Sequence, residues 1–342
     1  MGGVKRQTLT FTAPHQVELR EESLPVPGTE DVLVETLCSA ISAGTELLIY
    51  RGQFPKELAD SNDALSSGLK YPLAYGYACV GVVKETGSRV DQSLKDRLVF
   101  AFQPHTTRFI AHPETLFPIP EGIGPEAACF LPNMETAVNL VQDAAPILGE
   151  RALVLGQGVI GLLAASLLSE FPLEKLAVAD HLELRRKALH VGRSTLNVQR
   201  FDSGVPNFRD QVKSFLPDGA DLTLELSGSP SALNDAIGLT AFSGRIVIGS
   251  WYGEKRVALD LGGAFHRSRL KLISSQVSTI APELSGRWDK SRRFGVAWDA
   301  IQRIRPEQWI THRFPLRQAA EAYRLLDENP QEAIQVIFAM SS

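Results

Sequence analysis

The sequence predicts an α/β protein of two domains, a small β-barrel or sandwich followed by a doubly wound parallel sheet. Three observations predict it. At 342 residues the chain is too long for one hydrophobic core and divides most simply into two. Its first 120 residues are short runs rich in Val, Thr, Leu and Phe, punctuated by Pro and Gly. From Pro125 the texture changes to strands alternating with helices, the pattern of a parallel sheet covered on both faces.

In the first region, strands are expected at Gln7–Thr12, Val17–Glu21, Val32–Ala40, Val80–Thr86, Arg97–Phe102 and Thr107–Ala111. The polar stretch Gln53–Tyr71 reads as a surface loop or short helix. Pro125–Asp143 reads as one or two helices. A strand–turn–helix follows at 152–169, then a strand at 176–179 and a helix from about 182. Further strands are expected at Leu222–Leu226 and Arg245–Ile248, with Lys271–Ser275 after a hairpin. Beyond residue 283 come a helix at Lys290–Arg303, the short stretch Trp309–Thr311, a helix at Arg317–Leu326 and an apolar strand at Ala333–Phe338. A lone terminal strand most simply rejoins the first domain, so the expected division is 1–130, 131–282 and a returning segment, 283–342.

The strand–turn–helix carries the most information. Residues 150–161 read Glu-Arg-Ala-Leu-Val-Leu-Gly-Gln-Gly-Val-Ile-Gly, and an acid, Asp180, stands 19 positions after the last glycine. An apolar strand, Ala152–Leu155, precedes the glycines, and the helix former Leu162–Leu168 follows them. This is the sequence form of a dinucleotide site. Gly156 permits the tight turn, Gly158 lets the backbone approach a pyrophosphate, and Gly161 lets the helix pack close to the strand. Val159 and Ile160 open the helix, whose free N–H groups face the phosphates. Asp180, ending the next strand, can accept from the adenosine ribose hydroxyls and would repel a 2′-phosphate, so NAD(H) is expected over NADP(H). Arg185 and Arg186 lie one turn on, where stacking on adenine or plain solvation serves them equally.

The bulk numbers exclude other classes. A hydrophobic fraction of 44% with 22% charged residues belongs to a globular protein. A net charge of −4 carries no sign of nucleic-acid binding, and no apolar run is long enough to cross a membrane. The N-terminus lacks the apolar stretch of a signal peptide. Cys38, Cys79 and Cys129 are scattered and odd in number, which fits a reducing cytoplasm better than a disulfide framework.

Four further segments, taken in order, resemble the medium-chain alcohol dehydrogenase superfamily over nearly the whole chain. They are Ile41-Ser-Ala-Gly-Thr-Glu46 with Tyr50-Arg-Gly52; Pro72-Leu-Ala-Tyr-Gly-Tyr-Ala-Cys-Val-Gly-Val-Val83; Lys95-Asp-Arg-Leu-Val99; and Ile310-Thr-His-Arg-Phe-Pro-Leu316 with Ala319-Ala-Glu-Ala-Tyr323. The resemblance implies a GroES-like β-barrel catalytic domain to which the C-terminal segment returns, a Rossmann domain, and a substrate cleft between them. It also implies a homodimer acting on a small molecule. The Ser-Ala-Gly-Thr-Glu string and the Gly-Tyr pair are most similar to the zinc-lacking branch that oxidises a hydroxyethyl group on a chlorin ring with NAD. Ala78, where that branch carries an acid, departs from it.

Zinc-dependent members use a Cys, a His and a third ligand at positions that correspond here to Ser42, Tyr77 and the neighbourhood of Cys129. One thiolate cannot hold a catalytic zinc, which needs three protein ligands. The structural-zinc lobe is missing too, because Phe102–Phe109 runs straight into the next strand. No zinc is therefore expected, and the three thiols read as buried and apolar.

Without a metal, side chains must manage the substrate oxygen. The candidates are Tyr77, His105, Glu46 and Thr45. Tyr77 replaces a ligand and either donates to the reacting oxygen or fills the vacated space. His105 is either a proton shuttle or a structural histidine. Glu46 matches an acid that pairs with a basic residue near the C-terminus in zinc enzymes. Gln335 stands there now, leaving Glu46 to act in catalysis or to bond backbone.

On the cofactor side, Ser227, Gly228, Gly249, Ser250, Trp251, Ser275 and Gln276 lie where strands end, the edge at which an open α/β sheet binds its ligand. By resemblance Thr136 lies on the helix approaching the nicotinamide. The leading reading is hydride transfer between NAD(H) and a secondary alcohol or ketone. Reduction of a carbon–carbon double bond, as in enoyl and quinone reductases, is the alternative. A non-catalytic NAD sensor is a third.

Overall fold

The computed structural model describes residues 4–54, 70–190 and 196–340. Most of the loop expected at Gln53–Tyr71 lies outside them. The chain forms two compact units, Met1–Pro132 with Ile301–Ser342, and Asn133–Ala300.

The first unit begins with β1 (Lys5–Ala13), β2 (Gln16–Ser23) and β3 (Val32–Ala40), followed by helix α1 (Ala43–Tyr50). Next come β4 (Leu73–Ala74), β5 (Cys79–Thr86), β6 (Leu98–Ala101), β7 (Arg108–Ala111), β8 (Phe117–Pro118) and the short helix α2 (Pro125–Ala128). Helix α3 (Leu131–Ala144) leads into the second unit, which runs β9 (Arg151–Leu155), α4 (Val159–Ser169), β10 (Lys175–Asp180), α5 (Glu183–Ala188), β11 (Asn197–Asp202), α6 (Phe208–Phe215), β12 (Ala220–Glu225), α7 (Ala232–Leu239), β13 (Thr240–Ile248) and β14 (Lys271–Ser274). Helix α8 (Lys290–Ile304) leads back to the first unit, where β15 (Ile310–Pro315), α9 (Ala319–Glu328) and β16 (Gln335–Ala339) complete it. The second boundary thus falls inside α8 rather than near residue 282, because the first turns of that helix are bonded to α3.

In the first unit β2, β1 and β4 form one antiparallel sheet. The second sheet runs β15-β16-β3-β5-β6-β8, with β7 also on β3. Strand β3 is its axis: Val-Leu-Val-Glu-Thr-Leu-Cys-Ser-Ala is mostly apolar and buried along most of its length. Strand β16 pairs antiparallel with β3, so the terminal strand does rejoin the first unit. Two cores result, one around Leu9, Phe11, Ile49, Tyr323 and Phe338, the other around Val32, Val34, Val83, Val99 and Phe109.

The second unit is one six-stranded sheet in the order β11-β10-β9-β12-β13-β14, parallel throughout. This is the doubly wound order in which the chain reverses direction across the sheet between β9 and β12. Strand β9 beyond Arg151 and helix α4 from Gly161 to Leu168 are buried, which is why both read as nearly continuous apolar runs. Three features differ from the expectation. Strand β14 is parallel to β13, so no hairpin joins them. Strand β11 was not anticipated, because a half-exposed edge strand reading Asn-Val-Gln-Arg-Phe-Asp carries little apolar pattern. Helix α6 likewise buries only Phe208 and Val212. Among the described residues no helix is long and apolar enough to cross a membrane.

Candidate active site

In the second unit the glycine turn joins β9 to α4 and has the geometry its spacing implies. Gly156 adopts φ +93°, and a β-carbon there would lie 2.5 Å from the Leu226 carbonyl oxygen. At Gly161 a β-carbon would lie 1.9 Å from the Gly156 carbonyl oxygen, so only glycine lets the helix start this close to the strand. Gly158 differs: its missing β-carbon faces open space, the nearest atom being Arg185 Nη1 at 4.0 Å. Gly158 is also the N-cap of α4 and offers the helix no side-chain bond, which leaves the first N–H groups of α4, from Val159 and Ile160 onward, to an external acceptor.

Asp180 closes this turn. It is buried, and its two oxygens accept from the Gln157 N–H (2.7 Å) and the Leu182 N–H (2.8 Å). The carboxylate thereby ties the turn after β9 to the end of β10. Arg186 donates to the Asp180 carbonyl and pairs with Asp202, so it is spent within the fold. Arg185 remains beside the turn, where burial lowers its pKa and the Asp180 charge opposes that shift.

The remaining strand ends are organised by carboxylates that the sequence did not single out. Glu225 is fully buried at the end of β12. One of its oxygens accepts from the Ser227 N–H (2.9 Å) and the Ser227 hydroxyl, the other from the Tyr252 hydroxyl. Burial, then the Glu225 charge, pushes the Tyr252 hydroxyl well above its ordinary pKa. The Gly228 N–H donates to Ser250 Oγ at 2.9 Å, and Lys255 caps the Gly228 carbonyl. Gly249 lies in close packing, where a β-carbon would stand 2.5 Å from a Leu140 methyl and displace it. Trp251 follows, half-buried, before Tyr252. Ser275 donates to Asp143 (2.6 Å) and accepts from Asn139 (2.9 Å), both on α3. Asp143 has its pKa raised by burial, with the Ser275 and Asn139 hydrogen bonds opposing. Gln276 is exposed and bonds only forward, to Ser278, and Thr136 is half-buried on α3.

In the first unit the catalytic candidates separate into two groups. Glu46 and His105 are both fully buried and joined, His105 Nε2 to Glu46 Oε2 at 2.9 Å. An ionised Glu46 makes Nε2 the donor. His105 Nδ1 meets Ser39 Oγ at 2.7 Å, and the Tyr323 hydroxyl donates to Glu46 Oε2. The other oxygen of Glu46 accepts the Ser42 N–H at 2.7 Å. Desolvation, with the Glu46 charge, lifts Tyr323 well above its ordinary pKa. Gly76 (φ +122°) makes room, since a β-carbon would stand 2.8 Å from the His105 ring. Gln335 is elsewhere, donating to the Ile41 and Val336 carbonyls, so Tyr323 stands in the partner role assigned to position 335. His105 and Glu46 are therefore an interior network rather than an open acid–base pair.

Tyr77 and Thr45 form the second group. Tyr77 is half-buried, and its hydroxyl donates to Ser42 Oγ and lies 3.4 Å from Thr45 Oγ1. Burial pushes the Tyr77 hydroxyl up to about 12, a rise opposed by the bonds to Ser42 and Thr45 and assisted by Glu46. The three thiols are buried; Cys38 and Cys129 touch at 3.4 Å, and Cys79 donates to the Pro104 carbonyl at 3.2 Å. Burial raises the pKa of Cys79 and Cys129. Among the described residues no three His, Cys, Asp or Glu side chains are grouped to share a metal ion.

No family model matches the chain. It is similar over nearly its whole length to the L-galactonate-5-dehydrogenase of Escherichia coli strain K12, with 23% identity over 345 residues covering 94% of this chain and 95% of that protein. Among solved structures it resembles an Escherichia coli oxidoreductase/dehydrogenase of unknown specificity involved in membrane biogenesis. The TM-score is 0.79 at 17% identity, over 99% of this chain and 100% of that one. An alcohol dehydrogenase from Escherichia coli CFT073, described as short-chain and complexed with NADH, gives a TM-score of 0.76 at 19% identity over 99% and 100% of the two chains. The shared fold is α/β, a GroES-like unit with a Rossmann unit.

Proposed function

Starting from a chain whose fold and full-length relatives are those of medium-chain dehydrogenases, we propose that it is a zinc-independent oxidoreductase that transfers hydride between NAD(H) and a secondary alcohol or ketone. The observation that carries this reading is in the first unit. Two positions that hold metal in zinc-dependent members carry Ser42 and Tyr77, and these side chains are hydrogen-bonded to each other. Cys129, near the third position, is occupied with Cys38. This donor set does not fit zinc, which takes three or four N, S or carboxylate ligands.

The second unit fits a dinucleotide. Gly158 leaves the space a pyrophosphate needs, the uncapped start of α4 supplies N–H donors, and Asp180 sits at the ribose end of the turn. Bound NAD(H) supplies the hydride donor or acceptor. Asp180 favours unphosphorylated ribose by charge. The Glu225 network holds the Ser227–Gly228 backbone and, through Ser250 and Tyr252, the end of β13.

At the substrate oxygen the chain offers the Tyr77–Ser42–Thr45 hydroxyls. With its pKa at about 12, Tyr77 stays protonated at neutral pH and acts as a donor, not a base. The three hydroxyls can exchange donor and acceptor roles, which lets them relay the substrate's hydroxyl proton to water on oxidation, or from water on reduction, and solvate the alkoxide as it forms.

One observation keeps the second reading in play. The burial of His105 and Glu46 removes two of the four candidates for the substrate oxygen, and hydride addition to a carbon–carbon double bond needs only donors for the enolate oxygen. The resemblance further supports a chlorin-like ring substrate, a homodimer and a cytoplasmic setting. The test is a titration with NADH against NADPH, with metal analysis on the same sample, followed by a panel of secondary alcohols, ketones and enones. Tight NADH binding, no stoichiometric zinc and turnover of alcohols or ketones is the expected result. Preference for NADPH with turnover of enones alone would replace it with the second reading, and stoichiometric zinc would overturn it.

A further inference from the structure

Arg293, on the first turn of α8, has no measurable exposure to solvent, yet all five of its N–H groups are engaged. Nε and Nη2 donate to Glu135 Oε1 at 3.1 and 2.7 Å. Nη1 donates to Asn139 Oδ1 at 2.5 Å and to the Thr279 carbonyl at 3.0 Å. Nη2 also donates to the Val277 carbonyl. Glu135 and Asn139 are four residues apart on α3, and Asp143 is four further on; all three lie on one face. Asn139 and Asp143 hold Ser275, so a single stripe of α3 grips the chain from Ser275 to Thr279 at three points, two of them through Arg293.

That stretch is the continuation of β14, with no regular secondary structure of its own. Its carbonyls lie beyond the sheet ladder and need donors from elsewhere. It also leaves the C-terminal edge of the parallel sheet, the edge at which such sheets bind ligand. A buried ion pair is a poor way to add stability, since apolar side chains of similar volume usually do as well. What a guanidinium does and an apolar side chain cannot is fix two backbone carbonyls and two side chains of a helix in one plane.

We infer that Arg293 is a positioning residue for the nicotinamide end of the cofactor site, setting the backbone from Ser275 to Thr279 through Glu135 and Asn139. The inference rests on the NAD(H) reading above. Ser275 and Gln276 belong to that site; Arg293 acts on it only through the chain it holds.

The experiment compares NADH with ADP-ribose, which lacks the nicotinamide, in wild type, Arg293→Lys and the double variant Glu135→Gln with Arg293→Gln. Lysine keeps the charge beside Glu135 but cannot reach every acceptor, and the double variant leaves only Lys290, the other partner of Glu135, which is exposed enough for water to solvate it. The expected result is a Kd for NADH raised ~10-fold or more, consistent with the loss of charge-assisted bonds, with ADP-ribose affinity unchanged within about twofold. Equal weakening of both ligands, or no weakening of either, overturns the positioning role while wild-type binding upholds the cofactor reading. Failure of the wild type to bind NADH, NADPH and ADP-ribose overturns both. If Arg293→Lys does not fold, the double variant decides on the same readout.

Discussion

Replacing Tyr77 by Phe separates the two roles its position allows. The ring is retained, with its edge contact to Tyr75 at 6.1 Å, and only the hydroxyl is lost. That hydroxyl donates to Ser42 Oγ and lies 3.4 Å from Thr45 Oγ1, so the variant gives up one good hydrogen bond and one marginal one. A neutral intramolecular hydrogen bond contributes about 0.5–1.5 kcal/mol, and the marginal second contact adds little to it. The stability loss should therefore be about 0.5–1 kcal/mol by urea unfolding. The loss in turnover should be far larger. Removing one donor from a developing oxyanion typically lowers kcat by about 10²–10³, equivalent to ~2.7–4 kcal/mol. NADH affinity should not change, because the glycine turn and the strand ends belong to the other unit. The wild-type pH–rate profile adds a second constraint. With the hydroxyl at about 12, no limb below pH ~11 should disappear in the Phe variant. The assay is NADH absorbance on whichever substrate the panel identifies. A variant with kcat within about twofold of wild type, altered only in stability, would refute the donor role and leave Tyr77 as a packed aromatic.

Asp180→Asn removes the charge and keeps one carbonyl oxygen, so either the Gln157 or the Leu182 N–H loses its acceptor; the ratio of NADPH to NADH affinity should still rise at least ~10-fold in a paired titration, and an unchanged ratio would dismiss Asp180 as the discriminator. Glu46→Gln places an amide where Ser42 N–H, His105 and Tyr323 all donate, so one donor loses its acceptor; unfolding free energy should fall by about 1–3 kcal/mol with NADH binding intact. Burial keeps the Cys79 and Cys129 thiols protonated in the folded chain, whereas unfolded thiols ionise near ~8.5. Their contribution is complete below that pH and is lost as pH rises above it, by ~2 kcal/mol per thiol at pH 10; Cys79→Ala should flatten the alkaline limb of the stability curve by one thiol's worth. Dialysis against a chelator should leave turnover unchanged, and a loss restored by zinc would contradict the Ser42–Tyr77 argument.

What the sequence disclosed follows the distance over which each feature is built. The glycine turn spans six residues, and its requirements are local: a positive φ at Gly156 and a helix start against the strand at Gly161. A single sequence displays such constraints directly, and the doubly wound order follows from the alternation of strand and helix around it. The networks are different. His105 meets Glu46 across 59 residues, Tyr323 meets Glu46 across 277, and Arg293 meets Glu135 across 158. No local pattern announces these pairs, because each half is an ordinary polar residue until the fold supplies the other. The stripe Glu135, Asn139, Asp143 recurs every four positions on α3, a local spacing, yet the sequence alone did not mark it as a site. It had no stated purpose without Arg293 and Ser275.

The departures from the zinc pattern lie between these cases. Position by position, Ser42 and Tyr77 read as two independent losses of a ligand. In the fold they are one arrangement: the tyrosine reaches the serine, and its hydroxyl donates to the serine's. Glu46 was displaced by the same logic. With Gln335 turned to the Ile41 and Val336 carbonyls, no cation faces the carboxylate from that strand, and a buried carboxylate without donors costs several kcal/mol. His105, Tyr323 and the Ser42 N–H supply them. Because Ser42 belongs to both arrangements, through its backbone to Glu46 and through its hydroxyl to Tyr77, the interior network fixes the backbone on which the Ser42 hydroxyl stands. Weakening the network at Glu46 should thus blunt turnover without shifting NADH affinity. Removing the Tyr77 hydroxyl should blunt turnover and leave the stability of the unit nearly intact.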